Sequence, residues 1–143
     1  MKIADVQILF CAIDPTSEHH ESAARWLEDA INAREPLGLA WPTIHQFLRL
    51  GTNPAFPGRM ADDEALGWIE EWLDAGVQIL GDADLEWGLF AELVSASGRA
   101  LRNAIDDAHL AALAISRGAT LVSFDDDFEP FVEEGLRLER LVP

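Results

Sequence analysis

Short apolar runs alternate with longer segments of helical periodicity along almost the whole chain, and this alternation constrains the fold most. Parallel strands need long crossover connections, which are usually helices, whereas antiparallel strands can be joined by tight hairpins. We therefore predict an α/β fold in which a parallel sheet lies between helical layers.

The boundaries of the predicted elements come from apolar periodicity and from breaker and capping residues. Strands are predicted over 2–10, 37–41, 77–80, 119–124 and 136–142. One helix is predicted after an N-cap at Ser17, one from Pro42, and others over 63–75, over 83–96 and from an N-cap at Asn103, with a short helix within 125–134. No linker or repeat interrupts this pattern, so residues 1–143 are predicted to form a single domain.

The charge of the chain is strongly acidic, with 10 Lys and Arg against 26 Asp and Glu, a net charge of −16. Solubility alone explains many surface acids, but such a protein also attracts basic partners. A site in it that handles a phosphate would need a cation. Lys2 is the only lysine, so contacts to anions would fall to arginines, and the candidates are Arg49, Arg59, Arg99, Arg102 and Arg117.

The single cysteine, Cys11, excludes an internal disulfide and favours a reducing cytoplasm. No apolar run approaches the roughly 18 residues that span a bilayer. Asp5 interrupts the apolar N-terminal segment, which argues against a signal peptide. We therefore expect a cytoplasmic protein without a membrane partner.

Four aspartates stand at the edges of apolar runs: Asp5, Asp107, Asp125 and Asp127. Asp5 lies within the first predicted strand, where a buried charge is unfavourable unless it is paired or bound to a metal. A salt bridge to an arginine is the alternative role for Asp5.

Helical phase distinguishes Asp107 from its neighbour Asp106. Asp107, Leu110, Ala111 and Ala114 share one apolar face at spacings of three and four residues. Asp107 is therefore predicted to point toward the sheet, while Asp106 is better suited to capping. The alternative for Asp107 is a second capping acid that is favoured by the helix dipole.

Asp125, Asp126 and Asp127 follow a predicted strand. In an extended turn Asp125 and Asp127 would share one side and Asp126 would face away. Asp127 could instead cap the short helix that carries Phe128 and Phe131.

Several carboxylates in one pocket repel each other by about 4 kcal/mol per pair at about 4 Å and an effective dielectric near 20. A divalent cation or bound protons would relieve this repulsion. Ligation by oxygen alone favours Mg²⁺ or Mn²⁺, and metal-assisted hydrolysis of a phosphodiester is the chemistry that such a site supports.

These residues together resemble the PIN-domain ribonucleases of the VapC toxin family, over essentially the whole chain. The matching stretches are residues 5–9, 14–27, 47–49 with 52–54, 107–114 and 123–128. The resemblance implies a PIN-like fold with about five mostly parallel strands. It also implies a Mg²⁺-dependent endoribonuclease, with Mn²⁺ as a possible substitute, that acts as the toxin of a type II toxin–antitoxin system. An RNA substrate, a VapB-type antitoxin and a homodimer are the implied partners.

The resemblance also assigns the site residues. Asp5 and Asp107 would hold the metal, the acid after the late strand matches Asp125, and Asp127 matches its common neighbour. Two positions depart from the family pattern. Gln46 stands where the family usually has a glutamate, and Gln7 stands where it often has an asparagine. Gln46 retains an oxygen at this site but lacks the charge and the basicity of a carboxylate.

Two other functions compete with the ribonuclease. A PIN-like domain weakened at Gln46 could bind RNA or antitoxin without cleavage. An acidic phosphotransfer domain of the receiver type is a third candidate, but that class needs a late lysine beside its acids, and Lys2 is the only lysine.

Overall fold

The computed structural model describes residues 1–142 and contains a five-stranded sheet. The strands are β1 (Lys2–Ala4), β2 (Leu37–Ala40), β3 (Gln78–Leu80), β4 (Thr120–Ser123) and β5 (Arg137–Arg140). The helices are α1 (Val6–Ile13), α2 (His20–Asn32), α3 (Trp41–Gly51), α4 (Asp62–Asp74), α5 (Trp87–Ala96) and α6 (Leu101–Arg117), with a 3₁₀-helix at Asp126–Phe131. All four strand pairings are parallel, which confirms the predicted α/β class and its parallel sheet.

Helices cover both faces of the sheet. Successive residues of a strand point to opposite faces, so Ile3 and Ala4 belong to two different buried clusters, as do Leu121 and Val122. The cluster with Ala4 packs against α1 to α4. The cluster with Ile3 packs against α5, α6 and the 3₁₀-helix. The helical layers are therefore those that the alternating pattern predicted.

The strand order β3-β2-β1-β4-β5 reverses the direction of the chain beside β1. From β1 the chain moves outward to β2 and β3, and α5 and α6 then carry it back to β4 on the other side of β1. In open α/β sheets, the crevice at the carboxyl ends of two such strands is the usual ligand site. This point lies where Asp5 follows β1 and Asp125 follows β4.

The first predicted strand, residues 2–10, is wrong beyond Ala4. Asp5 has an extended backbone and its side chain accepts from the Val6 amide, so α1 begins at Val6. Ile8 and Leu9 of this helix are fully buried. A short run that is apolar all round does not distinguish a buried strand from a buried helix by periodicity.

Two predicted N-caps are also wrong. The helix expected from Asn103 begins at Leu101, and Ala100 precedes it without a side-chain cap. Ser17 lies in a turn, and α2 begins only at His20. A cap contributes only about 1 kcal/mol, so the packing of the apolar helix face decides where these helices start.

The remaining boundaries differ by a few residues. Trp41 belongs to α3 and not to the strand before it, with Pro42 in the first turn of that helix as predicted. The helix predicted over 83–96 begins at Trp87. Among residues 1–142, no helix combines the length and the apolar character needed to cross a bilayer. That residues 1–143 form a single domain stays a prediction.

Candidate metal centre

Asp5 lies at the junction of β1 and α1 and is only 7% exposed. Its Oδ1 accepts a hydrogen bond from the Val6 amide at 2.7 Å. Its Oδ2 accepts one from the Ser123 hydroxyl at 2.8 Å. Within residues 1–142 it has no salt bridge to an arginine, so that alternative is wrong.

Ser123 connects Asp5 to the end of β4. Its side chain is fully buried, and its hydroxyl oxygen also accepts from the Asp125 amide at 2.9 Å. The Asp5 amide in turn donates to the Val122 carbonyl at 3.0 Å. These bonds fix the carboxyl ends of β1 and β4 beside each other, and Asp5 and Asp125 lie there together.

Asp107 reaches the site from the second turn of α6. Its Oδ2 lies 2.9 Å from Arg99 Nη2, and its side chain is 26% exposed. Asp107 is half-buried and Asp106 is exposed, which agrees with the predicted inward phase of Asp107. The predicted capping role of Asp106 is wrong, because α6 begins at Leu101. The role of Asp107 as a capping acid is also excluded, because α6 begins six residues earlier and the helix dipole acts mainly within the first turn.

Asp127 and Asp126 lie on the 3₁₀-helix after β4. Asp125 caps this helix and accepts from the Asp127 amide at 2.9 Å, so the predicted alternative of Asp127 as the cap is wrong. Asp127 Oδ2 lies 3.4 Å from Arg99 Nη1. One oxygen from each of Asp125, Asp126 and Asp127 lies within 4.8 Å of the others. Asp126 does not face away as predicted, because a 3₁₀ turn lacks the two-residue alternation of an extended turn.

The pKa values of Asp5 and Asp107 are both raised, in part by neighbouring acids. The pKa of Asp5 is raised to about 6, mainly by burial; hydrogen bonds from Ser123 and Val6 oppose this rise, and the charges of Asp107 and Asp125 add to it. Burial also raises the pKa of Asp107. Arg99 opposes this shift, while Asp125 and Asp127 add to it. The charges of Asp107 and Asp125 therefore act on Asp5, and those of Asp125 and Asp127 act on Asp107. Among residues 1–142, the only three acids with one oxygen each within 4.8 Å of one another are those of the 3₁₀-helix and its cap.

Gln46 was also predicted as a site residue, but it does not contact the proposed metal ligands. It lies on α3 and donates its amide to Asp106 Oδ2 at 2.7 Å. Among residues 1–142, no hydrogen bond joins Gln46 to Asp5, Asp107 or Asp125. A neutral donor at position 46 suits this contact, since a glutamate there would face another carboxylate.

Sequence reasoning missed two residues of the site. Ser123 was assigned only to a strand, although a polar residue at the end of a buried strand and just before three acids was a usable signal. Arg99 was one of five arginine candidates, and nothing in the sequence selected it. Its contacts with Asp107 and Asp127 join residues 8 and 28 positions away, and only the fold brings them together.

The donor set fits a hard divalent cation. Asp5, Asp107 and Asp125 offer only carboxylate oxygens, the ligands that Mg²⁺ and Mn²⁺ prefer. Asp5 is held by a hydrogen bond to each of its oxygens, which orients it and leaves a lone pair on each. The raised pKa values of Asp5 and Asp107 arise in part from mutual repulsion that a bound cation would relieve.

Comparison with known proteins places this geometry in a family. A sequence model of the PIN domain matches residues 3–132. Ribonuclease VapC37 of Mycobacterium tuberculosis is 35% identical over 142 residues, which cover 98% of this chain and 96% of that protein. The chain belongs to the VapC branch of the PIN-domain family. Ribonuclease VapC33 of the same species is 31% identical over 141 residues, covering 93% of this chain and 94% of the relative.

Solved structures agree with this family at the level of the fold. VapBC2 from Rickettsia felis, bound to a DNA fragment from its promoter, contains a chain that matches this PIN domain with a TM-score of 0.71 at 17% identity. The match covers 99% of this chain and 98% of that one. VapBC-1 from nontypeable Haemophilus influenzae matches with a TM-score of 0.68 at 16% identity, covering 97% and 96%. The predicted PIN-like fold is thereby confirmed.

We predict that ionisation of Asp5 destabilises the metal-free PIN domain. Its pKa rises from 3.8 to about 6 on folding, so the folded state holds the proton more tightly than the unfolded chain. The contribution to stability therefore falls as pH rises from about 4 through about 6. Between about pH 5 and about pH 7.5, wild type should lose on the order of 1 kcal/mol of unfolding free energy relative to Asp5→Asn.

Urea unfolding in the presence of a chelator measures this difference. The asparagine oxygen keeps the cap to the Val6 amide, and its NH₂ group would face Ser123 as a donor to the hydroxyl oxygen. The variant therefore removes the ionisable group and preserves the cap. Parallel pH profiles for wild type and Asp5→Asn would contradict the prediction.

A second prediction concerns the pair of Gln46 and Asp106. Gln46→Glu would place a carboxylate against Asp106, where the contact distance is now 2.7 Å. The pair is partly exposed, so the loss of unfolding free energy should be only about 0.5–1 kcal/mol. Asp106→Asn in the same chain should restore it, which a double-mutant cycle in metal-free urea unfolding would measure. Equal stability of wild type and Gln46→Glu would mean that residue 46 turns away from Asp106.

Proposed function

We propose that this PIN domain is the toxin of a type II toxin–antitoxin system. It is an endoribonuclease that hydrolyses RNA phosphodiester bonds with a divalent cation held by Asp5, Asp107 and Asp125. The cation is Mg²⁺, with Mn²⁺ as a substitute. Ribonucleases of the PIN family are generally metal-dependent, and relatives at 31–35% identity are named ribonucleases of the VapC type.

One observation carries this proposal: Ser123 joins Asp5 to the Asp125 amide at the reversal of strand order. The charge of Asp125 acts on both Asp5 and Asp107. A solvent-facing surface role would not require a carboxylate that is buried and tied to a neighbouring strand. The net charge of −16 adds a reason for a cation, because a phosphodiester approaching these acids would otherwise be repelled.

Several residues hold the proposed metal ligands in place. Ser123 and the Val6 amide hold the two oxygens of Asp5 in a fixed orientation. The cap formed by Asp125 on the 3₁₀-helix fixes the acids that follow β4, and the buried Phe128 anchors that helix. Bound at these oxygens, a divalent cation supplies an acidified water for attack and charge stabilisation for the phosphate.

The binding module without catalysis is not favoured. It was raised because Gln46 replaces a usual acid, but the Gln46 side chain bonds to Asp106 and the aspartates converge without it. We propose that Gln46 acts on the site only indirectly, through α6, where Asp106 and Asp107 are adjacent. Three carboxylates suffice to bind one cation.

The antitoxin partner follows from the family, since the structural neighbours include VapBC complexes. We propose that it binds a groove formed by two adjoining cavities of about 390 Å³ and about 160 Å³. The cavities share Ile13 and Trp68, and their lining is largely apolar. The side chains between α1, α2 and α4 that form most of this surface include Ala12, Leu27, Ile31, Trp72, Phe10 and Met60.

The rim of this groove is acidic. Asp14 and Glu64 line the smaller cavity, and Glu28 and Glu71 line the larger one, with no lysine or arginine in either lining. An amphipathic segment with apolar anchors and basic flanks would complement this surface. Trp72 is 5% exposed and belongs mainly to the core, whereas Trp68 lines both cavities.

An RNA substrate, a homodimer and a cytoplasmic location complete the proposal. Exposed apolar side chains that support self-association include Trp41, Trp87 and Leu101, at 46%, 78% and 59% exposure. The single cysteine supports a reducing compartment.

We predict that the proposed ligands are needed for both metal binding and cleavage. Mn²⁺ should raise the melting temperature of wild type by linkage. Asp5→Asn and Asp107→Asn should each abolish that rise and lower RNA cleavage by about 100-fold or more. Asp106→Asn removes an adjacent, exposed carboxylate and should keep both properties.

Thermal unfolding with and without Mn²⁺, and cleavage of total cellular RNA, are the measurements. Cleavage of RNA by Gln46→Glu but not by wild type would contradict the ribonuclease function and support the non-catalytic binding module. If neither Mn²⁺ nor Mg²⁺ changes the melting temperature of wild type, the proposed metal site is contradicted.

The groove makes a separate prediction about the antitoxin. Trp68→Ala should weaken binding of the cognate VapB-type antitoxin by at least about tenfold, because a buried aromatic anchor typically dominates such an interface. Trp87→Ala removes an exposed tryptophan that lines neither cavity and should leave the affinity unchanged. Isothermal titration calorimetry of the two variants, with circular dichroism to verify folding, measures this. Equal losses in both variants would contradict the assignment of the groove.

A further inference from the structure

Arg99 carries the positive charge that lies against the acids of the candidate metal centre. Its Nη2 is 2.9 Å from Asp107 Oδ2, and its Nη1 is 3.4 Å from Asp127 Oδ2. The Nη1 group also donates to the Asn103 carbonyl at 3.2 Å. The side chain is 24% exposed. One guanidinium therefore bridges an acid of α6 and an acid of the 3₁₀-helix, two elements that are separate in sequence.

Arg99 places its positive charge where the acids repel one another. Asp107 experiences repulsion from Asp125 and Asp127, and Arg99 is the group that opposes it. Within residues 1–142, no other arginine or lysine forms a salt bridge to these aspartates. A guanidinium brings a single charge, whereas Mg²⁺ or Mn²⁺ brings two and accepts several oxygens at once.

The contact with Asp107 is close but poorly directed. Nη2 is buried, and despite its 2.9 Å distance from Oδ2 it has no hydrogen-bond partner of acceptable geometry in the described part of the chain. Most of the strength of an arginine–carboxylate pair comes from aligned, bidentate hydrogen bonds. Only Nη2 pairs with Asp107, on one oxygen, so the pair lacks bidentate alignment, whereas a divalent cation supplies more charge at the same place.

The main chain around Arg99 is held by contacts that do not involve its guanidinium. Arg99 lies in the loop before α6, which begins at Leu101. Its amide donates to the Ser97 hydroxyl at 3.1 Å, so the loop is held by its main chain. The guanidinium is not needed to start the helix.

We propose that Arg99 is a displaceable counter-ion, which neutralises Asp107 and Asp127 in the metal-free protein and competes with the catalytic divalent cation for Asp107. This inference rests on the proposed metal site and adds a residue that sets the cation concentration at which the site fills. The competition is reciprocal. Arg99 weakens cation binding by the same factor by which the cation weakens the contact between Arg99 and Asp107.

Direct measurement of Mn²⁺ binding tests this without relying on activity. Electron paramagnetic resonance titration of free Mn²⁺ gives the dissociation constant for wild type, Arg99→Gln and Arg102→Gln. Arg102 is the matched control, because it is three residues away and is exposed. Its loss changes the net charge equally, without a salt bridge among residues 1–142 being lost. Arg99→Gln should bind Mn²⁺ about three- to tenfold more tightly than Arg102→Gln.

A second measurement tests whether Arg99 stabilises the protein when no cation is bound. With a chelator present, Arg99→Gln should melt below Arg102→Gln, because Asp107 has lost its partner. With saturating Mn²⁺, the gap should close or reverse, because the cation has taken over the neutralisation.

The outcomes separate this inference from the proposed function. Equal Mn²⁺ affinities in Arg99→Gln and Arg102→Gln would overturn the counter-ion role and leave the metal site intact. Weaker binding in Arg99→Gln would also overturn it, since Arg99 would then orient Asp107 for the cation. Absence of Mn²⁺ binding in all three proteins would overturn both the metal site and the competition. Binding by Arg99→Gln alone would support the counter-ion role in its strongest form.

Discussion

The burial of the Asp5 carboxylate between β1 and α1 is the constraint on which the rest of the site depends. A charge that is 7% exposed is unfavourable unless hydrogen bonds and neighbouring groups compensate it. Val6 and Ser123 supply these bonds, and Ser123 also binds the Asp125 amide. The Ser123 hydroxyl that stabilises the buried Asp5 therefore also holds the loop that carries Asp125. The positions of these two proposed ligands are linked through one side chain.

Sheet topology explains why residues from the two ends of the chain meet here. β1 and β4 are neighbours only because α5 and α6 carry the chain back past β1. This crossover also brings Asp107 and Arg99 to the same edge. The arrangement couples folding to function, because the site requires the long-range pairing of β1 with β4.

The sequence predicted the parts of this site that depend on local periodicity or on a sharp break in hydrophobicity. The inward phase of Asp107 and the position of Asp5 at the edge of an apolar run are examples, and both follow from one short segment. The contact of Gln46 with Asp106 and the role of Arg99 could not be predicted, because each joins residues on different elements. The helix at Val6 was missed for another reason: a continuous apolar run has no polar face to reveal its period.

The metal-free protein tolerates its acids by three distinct means. Asp5 has a raised pKa and shares its oxygens with two donors, Asp107 and Asp127 contact a guanidinium, and Asp125 accepts from a backbone amide. Each of these features offsets the charge of one or two carboxylates, but together they leave the four acids with a net negative charge. A divalent cation would replace the proton and the guanidinium together, since both respond to the same repulsion.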